Sequence, residues 1–190
     1  MRFAVDAGVD LIQVRERDLE AAALAGCVTD LLTVTRGTAT RIVVNDRLDV
    51  ALAARAHGVH LRGDSMPPRV VRGLAPKGFL VGQSVHTVDE AARVGRAVDY
   101  LVAGTVKASE SKPNVRVIGF DGLAAIIAAA SVPVLAIGGI MAADAEAVAR
   151  AGASGIAGIG VFMAPSRRAF CRAVALGDIV SSLRAPFGLT

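Results

Sequence analysis

The chain has 190 residues, 53% hydrophobic and only 4% aromatic, with 20 glycines; this describes a small-residue α/β protein long enough to bury one large core. Its 21 Lys and Arg against 17 Asp and Glu leave a formal charge of +4, scattered and without interleaved aromatics, which argues against a nucleic-acid partner. No apolar run reaches the length of a membrane span and no leader of charged, apolar and small residues opens the chain, so a cytoplasmic protein with no membrane partner is expected.

Residues 1–7 read as the tail of a helix, with Ala7-Gly8 as its stop. From there short apolar runs bounded by Gly, Asp or Asn alternate with Ala-rich helical patterns, the signature of βα units around a buried parallel sheet. The strand candidates are 11–15, 41–45, 59–61, 79–83, 100–104, 134–137 and 156–159; the helical patterns are 19–35, 47–56, 67–74, 88–96, 121–130, 142–151 and 166–183. Seven such units fall one strand short of a (β/α)8 TIM barrel, and the shortfall is at the front. We expect a single barrel domain over 1–190, N-terminally shortened, that lacks the first strand; an open barrel or a gap filled by another chain are the alternatives. An unpaired strand edge and an apolar C-terminal helix make a homodimer plausible. Cys27 and Cys171 lie far apart in helical patterns and read as two reduced packing residues.

Chemistry on such a scaffold collects at the C-terminal ends of the strands. Those ends carry Gln13, Arg15 and Arg17; Asn45 and Asp46; His60, Arg62 and Asp64; Ser84 and His86; the polar loop from Lys107 to Gly119; Gly138 and Gly139; and Gly158 and Gly160. Gln13, Arg15 and Arg17 alternate, so on an extended strand they share a face, and guanidinium forks suit phosphate oxygens; ordinary surface arginines are the plain alternative. Asp46 at the end of a buried strand needs a cation such as Mg²⁺, or else caps the next helix. Ser84 and His86 share a face and can bind a substrate or move a proton, against a capping Ser and a surface His. The glycine pairs suit a phosphate at a helix N-terminus, or simply tight strand-to-helix packing.

In this order the residues resemble the thiamine phosphate synthase and thiazole tautomerase superfamily. Gln13-Val14-Arg15-Glu16-Arg17 is similar to its Gln-x-Arg-x-Lys, Asn45-Asp46 to its Asn-Asp and Gly58-Val59-His60-Leu61 to its Gly-Val-His-Leu. Ser84-Val85-His86 resembles its Ser-x-His, Ser109-Glu110-Ser111-Lys112 its Thr-x-Thr-Lys loop, and Ala136-Ile137-Gly138-Gly139-Ile140 its phosphate turn. The resemblance implies a barrel of the thiamine phosphate synthase type, with phosphorylated pyrimidine and thiazole substrates and Mg²⁺ as cofactor. By that analogy Arg15, Arg17, Asn45 and Lys112 hold a diphosphate, Asp46 and Asp64 are the metal carboxylates, and Ser109 and Ser111 orient the leaving group. The thiazole phosphate falls to Gly138, Gly139 and Gly160, with Gln13, Ser84, Gly119 and Gly158 also counted as substrate-binding.

The departures keep other readings open. Arg17 stands for the family Lys, both loop threonines are serines, and His60-Leu61-Arg62-Gly63-Asp64-Ser65 replaces His-Leu-Gly-Gln-Glu-Asp, displacing or losing the second carboxylate. A thiazole tautomerase needs neither diphosphate nor metal and would use His86 as acid and base. A phosphate-binding relative without turnover is the remaining alternative.

Overall fold

The computed structural model describes residues 2–108, 116–163 and 169–188. A short helix, α1 (Arg2–Asp6), ends at Gly8, whose φ of 82° takes the left-handed turn there. Seven strands follow: β1 (Leu11–Val14), β2 (Arg41–Asn45), β3 (Gly58–Leu61), β4 (Leu80–Val85), β5 (Tyr100–Gly104), β6 (Val134–Ile137) and β7 (Gly155–Ala157). Each is parallel to its neighbours, and the order in the sheet is the order in the chain. That sequential order is barrel topology; a doubly wound sheet would reverse direction part-way.

The helices between strands are α2 (Ala21–Thr35), α3 (Leu48–Ala53), α4 (Pro68–Leu74), α5 (Val88–Val94), α6 (Gly119–Ala129) and α7 (Ala145–Arg150). A four-residue helix, α8 (Gly160–Met163), and a long one, α9 (Ala169–Arg184), follow β7. The ends of the patterned segments 88–96 and 142–151 tighten into 3₁₀ turns at Gly95–Ala97 and Ala142–Asp144.

Strands β3 and β5 are buried along their whole length, which is why they read as unbroken apolar runs. Val43, Val59, Val81, Leu101 and Ala103 have no exposed surface. β1 differs: among the described residues it pairs on one side only, and Gln13 on it is exposed. The sheet thus has edges at β1 and β7, as the count of seven units anticipates. Helix α9 packs against α1, and Arg184 on it forms an ion pair with Asp10 just before β1. No helix among the described residues is long and apolar enough to cross a membrane.

Candidate active site

The candidate residues lie at the C-terminal ends of the parallel strands, with differences that bear on chemistry. β1 stops at Val14, so the alternation argument covers Gln13 but not Arg15 and Arg17, which stand exposed on the loop before α2. Gln13 Nε2 lies 3.5 Å from Asn45 Oδ1, joining the ends of β1 and β2. Arg15 reaches the mouth electrostatically, since its charge helps to depress the His60 pKa. Neither Arg15 nor Arg17 has an ion-pair partner among the described residues.

His60 is 4% exposed and sits between two hydroxyls. Its Nδ1 is 3.2 Å from the Tyr100 hydroxyl and its Nε2 is 2.9 Å from Ser84 Oγ. Burial, with the Arg15 charge second, lowers the His60 pKa to about 4, so the ring is neutral near pH 7. Burial likewise raises the Tyr100 pKa, keeping the phenol protonated. A neutral imidazole has one donor and one acceptor, so a single chain of hydrogen bonds runs from Tyr100 through His60 to Ser84. Tyr100 escaped the sequence reading because it opens an apolar strand; the signal for it is Gly82, where a Cβ would overlap the Tyr100 ring.

His86 is held at both ends of its segment. Its Nδ1 is 2.5 Å from the Gly104 carbonyl, which can only accept, so Nδ1 donates there, and among the described residues Nε2 has no hydrogen-bond partner. Its backbone N–H donates to Glu90 Oε2 at 2.6 Å, while Thr87 Oγ1 caps α5 by accepting from the Glu90 N–H at 3.2 Å.

The turn after β3 decides what Asp46 can do. Asp46 has φ 64° and does not cap α3, whose first turn has no side-chain cap; the capping alternative is thereby removed. Its Oδ1 accepts a hydrogen bond from the Ser65 hydroxyl, and its Oδ2 lies 3.5 Å from Arg62 Nε. Ser65 is itself fixed by the Arg62 N–H, which donates to its Oγ at 2.8 Å. Asp64 turns outward: its side chain is 74% exposed and pairs with Arg62 Nη2 at 3.0 Å. The side chain opposite Asp46 is therefore Ser65, and a guanidinium already compensates both candidate metal carboxylates. Among the described residues no three His, Cys, Asp or Glu side chains gather as a metal cluster. One carboxylate with one oxygen hydrogen-bonded to Ser65 and the other facing the Arg62 guanidinium, and a second carboxylate facing solvent, do not fit a resident Mg²⁺ site, which needs free carboxylate oxygens at close range.

Gly138 and Gly139 have φ of 103° and 64°, and a Cβ on Gly139 would come within 2.5 Å of the Lys107 and Ala108 carbonyls. The turn is thus packed tightly on the segment after β5, anchored by Lys107 N–H to the Gly138 carbonyl at 2.9 Å. Packing alone requires these glycines, yet among the described residues no hydrogen bond uses the Gly139 or Ile140 N–H. Lys107 Nζ grips Asp144 at 2.8 Å, fastening the same turn from the other side. Gly158 and Gly160 lead into α8; a Cβ on Gly158 would lie 2.8 Å from Val161 Cγ1, whereas one on Gly160 would meet open space, so packing makes no demand at Gly160. Gly119 starts α6 at φ 65° and gives its N–H to the Val106 carbonyl at 3.0 Å; it shapes the loop and has no free donor for a substrate. Ser109, Ser111 and Lys112 lie outside the described residues. Cys27 is a free, half-buried residue of α2.

The family pattern described as thiamine monophosphate synthase matches residues 1–162. A thiamine-phosphate synthase of Caldanaerobacter subterraneus subsp. tengcongensis is 36% identical over 165 residues, 85% of this chain and 77% of that protein. One from Methanocella arvoryzae is 40% identical over 158 residues, 82% of this chain and 74% of that protein. The solved structure of a thiamine phosphate pyrophosphorylase from Pyrococcus furiosus superposes with a TM-score of 0.83 at 32% identity, covering 98% of this chain and 87% of that one. Matched over most of its length by sequence and by fold, the chain belongs to the thiamine monophosphate synthase family.

Proposed function

We propose that the protein is a transferase that joins hydroxymethylpyrimidine diphosphate to thiazole phosphate and releases pyrophosphate, forming thiamine phosphate in the cytoplasm. The observation that carries this reading is the convergence at one end of the sheet of Gln13, Asn45, Asp46, Ser84 and His86, with the charge of Arg15 felt at His60 between them. The thiamine-phosphate synthases that match most of the chain support the reaction.

In this reading the C–O bond between the pyrimidine methylene and its diphosphate breaks, the electron pair leaves with pyrophosphate, and the thiazole nitrogen supplies the pair for the new C–N bond. Negative charge grows on the departing oxygens, and in this reading Arg15 and Arg17 with the Asn45 amide meet it. Lys112, with Ser109 and Ser111, enters by motif. The neutral Tyr100–His60–Ser84 chain presents the Ser84 hydroxyl to the substrate without adding a charge. The N–H groups of Gly139 and Ile140, unpaired among the described residues, with the unobstructed backbone at Gly160, take the thiazole phosphate. The site is assigned no metal-dependent step.

One observation favours a second reading. His86 has Nδ1 held by the Gly104 carbonyl and Nε2 without a partner among the described residues, the orientation a thiazole tautomerase requires of its acid and base. Incubating the folded protein with both phosphorylated substrates separates the two: the synthase releases pyrophosphate and thiamine phosphate in equal amounts. Isomerisation of thiazole carboxylate phosphate without any pyrophosphate release would transfer the assignment to the tautomerase.

A further inference from the structure

The turn from Arg62 to Ser65 gathers three features that the reaction above does not use. Arg62 lies between two carboxylates, with Asp46 Oδ2 3.5 Å from its Nε and Asp64 Oδ2 3.0 Å from its Nη2. Ser65, fixed by the backbone of Arg62, occupies Asp46 Oδ1. Among the described residues, Arg62 Nε is buried and has no hydrogen-bond partner, and Gln83 Oε1, whose amide nitrogen reaches the Arg62 carbonyl at 3.4 Å, is also buried without one. A buried guanidinium donor left unsatisfied is costly unless something fills the place beside it.

We propose that Arg62 is the resident cation of this mouth, standing beside Asp46 where a divalent metal would otherwise be held and binding the diphosphate directly. The inference rests on the reading of this mouth as a diphosphate site. The guanidinium satisfies Asp46 electrostatically, so that carboxylate no longer attracts a second cation, and a metal beside it would be repelled by Arg62. The side chain remains 41% exposed, enough to present its outer edge to an anion while the inner Nε stays near Asp46. Its planar fork matches two phosphate oxygens at once, and unlike Mg²⁺ it cannot be removed by a chelator. Ser65 completes the arrangement by fixing the carboxylate and, through its bond to the Arg62 N–H, the start of the turn that carries the guanidinium.

The test uses inorganic pyrophosphate and Mn²⁺ as probes, so it does not depend on turnover. Calorimetry in excess chelator should show pyrophosphate binding to the unaltered protein and at least about tenfold weaker binding to Arg62→Gln, with Arg62→Lys between them. Mn²⁺ titration followed by paramagnetic resonance should show no saturable site in the unaltered protein, while Arg62→Gln combined with Ser65→Asp should create one that Asp46→Asn abolishes. Melting temperatures of the variants show whether they are folded, and if Arg62→Gln fails to fold, the Arg62→Lys binding and the Mn²⁺ titration of the unaltered protein decide. Saturable Mn²⁺ binding to the unaltered protein that Asp46→Asn removes would overturn the proposal, as would equal pyrophosphate affinity in Arg62→Gln. If coupled turnover is absent but chelator-resistant pyrophosphate binding depends on Arg62, the synthase reading fails and the role of Arg62 stands.

Discussion

Between Tyr100 and Ser84 the His60 ring has lost nearly all contact with water, and Arg15 adds positive charge from the mouth. Folding lowers its pKa from 6.5 to about 4. Below the higher value the unfolded chain takes up a proton that the folded chain refuses. Stability from this group is therefore full above pH 6.5 and declines as the pH falls towards 4, by roughly 3 kcal/mol in all. Urea unfolding at neutral pH and again near the lower value measures it, and His60→Gln should flatten the difference while lowering stability at both. An unchanged slope in that variant assigns the acid sensitivity elsewhere. The motif Gly-Val-His-Leu made His60 visible in the sequence, but not its partners: Ser84 is 24 residues and Tyr100 40 residues away along the chain. Only the parallel register, with His60 opposite Gly82 and Gly82 opposite Tyr100, brings the three together.

At the scale of elements, the apolar runs at 41–45, 100–104 and 134–137 coincide with β2, β5 and β6; β5 is buried at every position and so is written as an unbroken apolar run, while β6 alternates buried and half-buried residues. The candidate at 156–159 becomes β7 with its bounds moved to Gly155–Ala157, because α8 already begins at Gly160. Side chains on the turns were harder to read. Period two gives direction on a strand but none on a loop, so Arg15 and Arg17 were placed by an alternation that β1 does not extend to them, and the outward turn of Asp64 could not be foreseen. The glycine turn was legible as a site, though its packing was not: the positive φ of Gly139 and the two carbonyls that face it are tertiary facts. Gly139→Ala combines a left-handed backbone with a clash that neither carbonyl can easily yield to. We expect a loss of about 2 kcal/mol or more and weaker thiazole phosphate binding, read by thermal melting with and without that ligand. A variant that melts and binds as before would show that the turn is not tightly held.

For the molecule as a whole, the seven-unit count anticipated the sheet, with edges at β1 and β7 among the described residues. The Arg184–Asp10 pair and the packing of α9 on α1 tie the last helix to the first strand's approach. We therefore expect the chain to behave as one domain, with circular dichroism and calorimetry reporting a single coincident unfolding transition; two separated transitions would divide it. The sequential order of the sheet also bears on how the protein is made. Every strand after β1 pairs with the strand that left the ribosome just before it. During synthesis each new βα unit therefore meets a template already in place, and no strand has to wait, edge exposed, for a partner encoded far downstream.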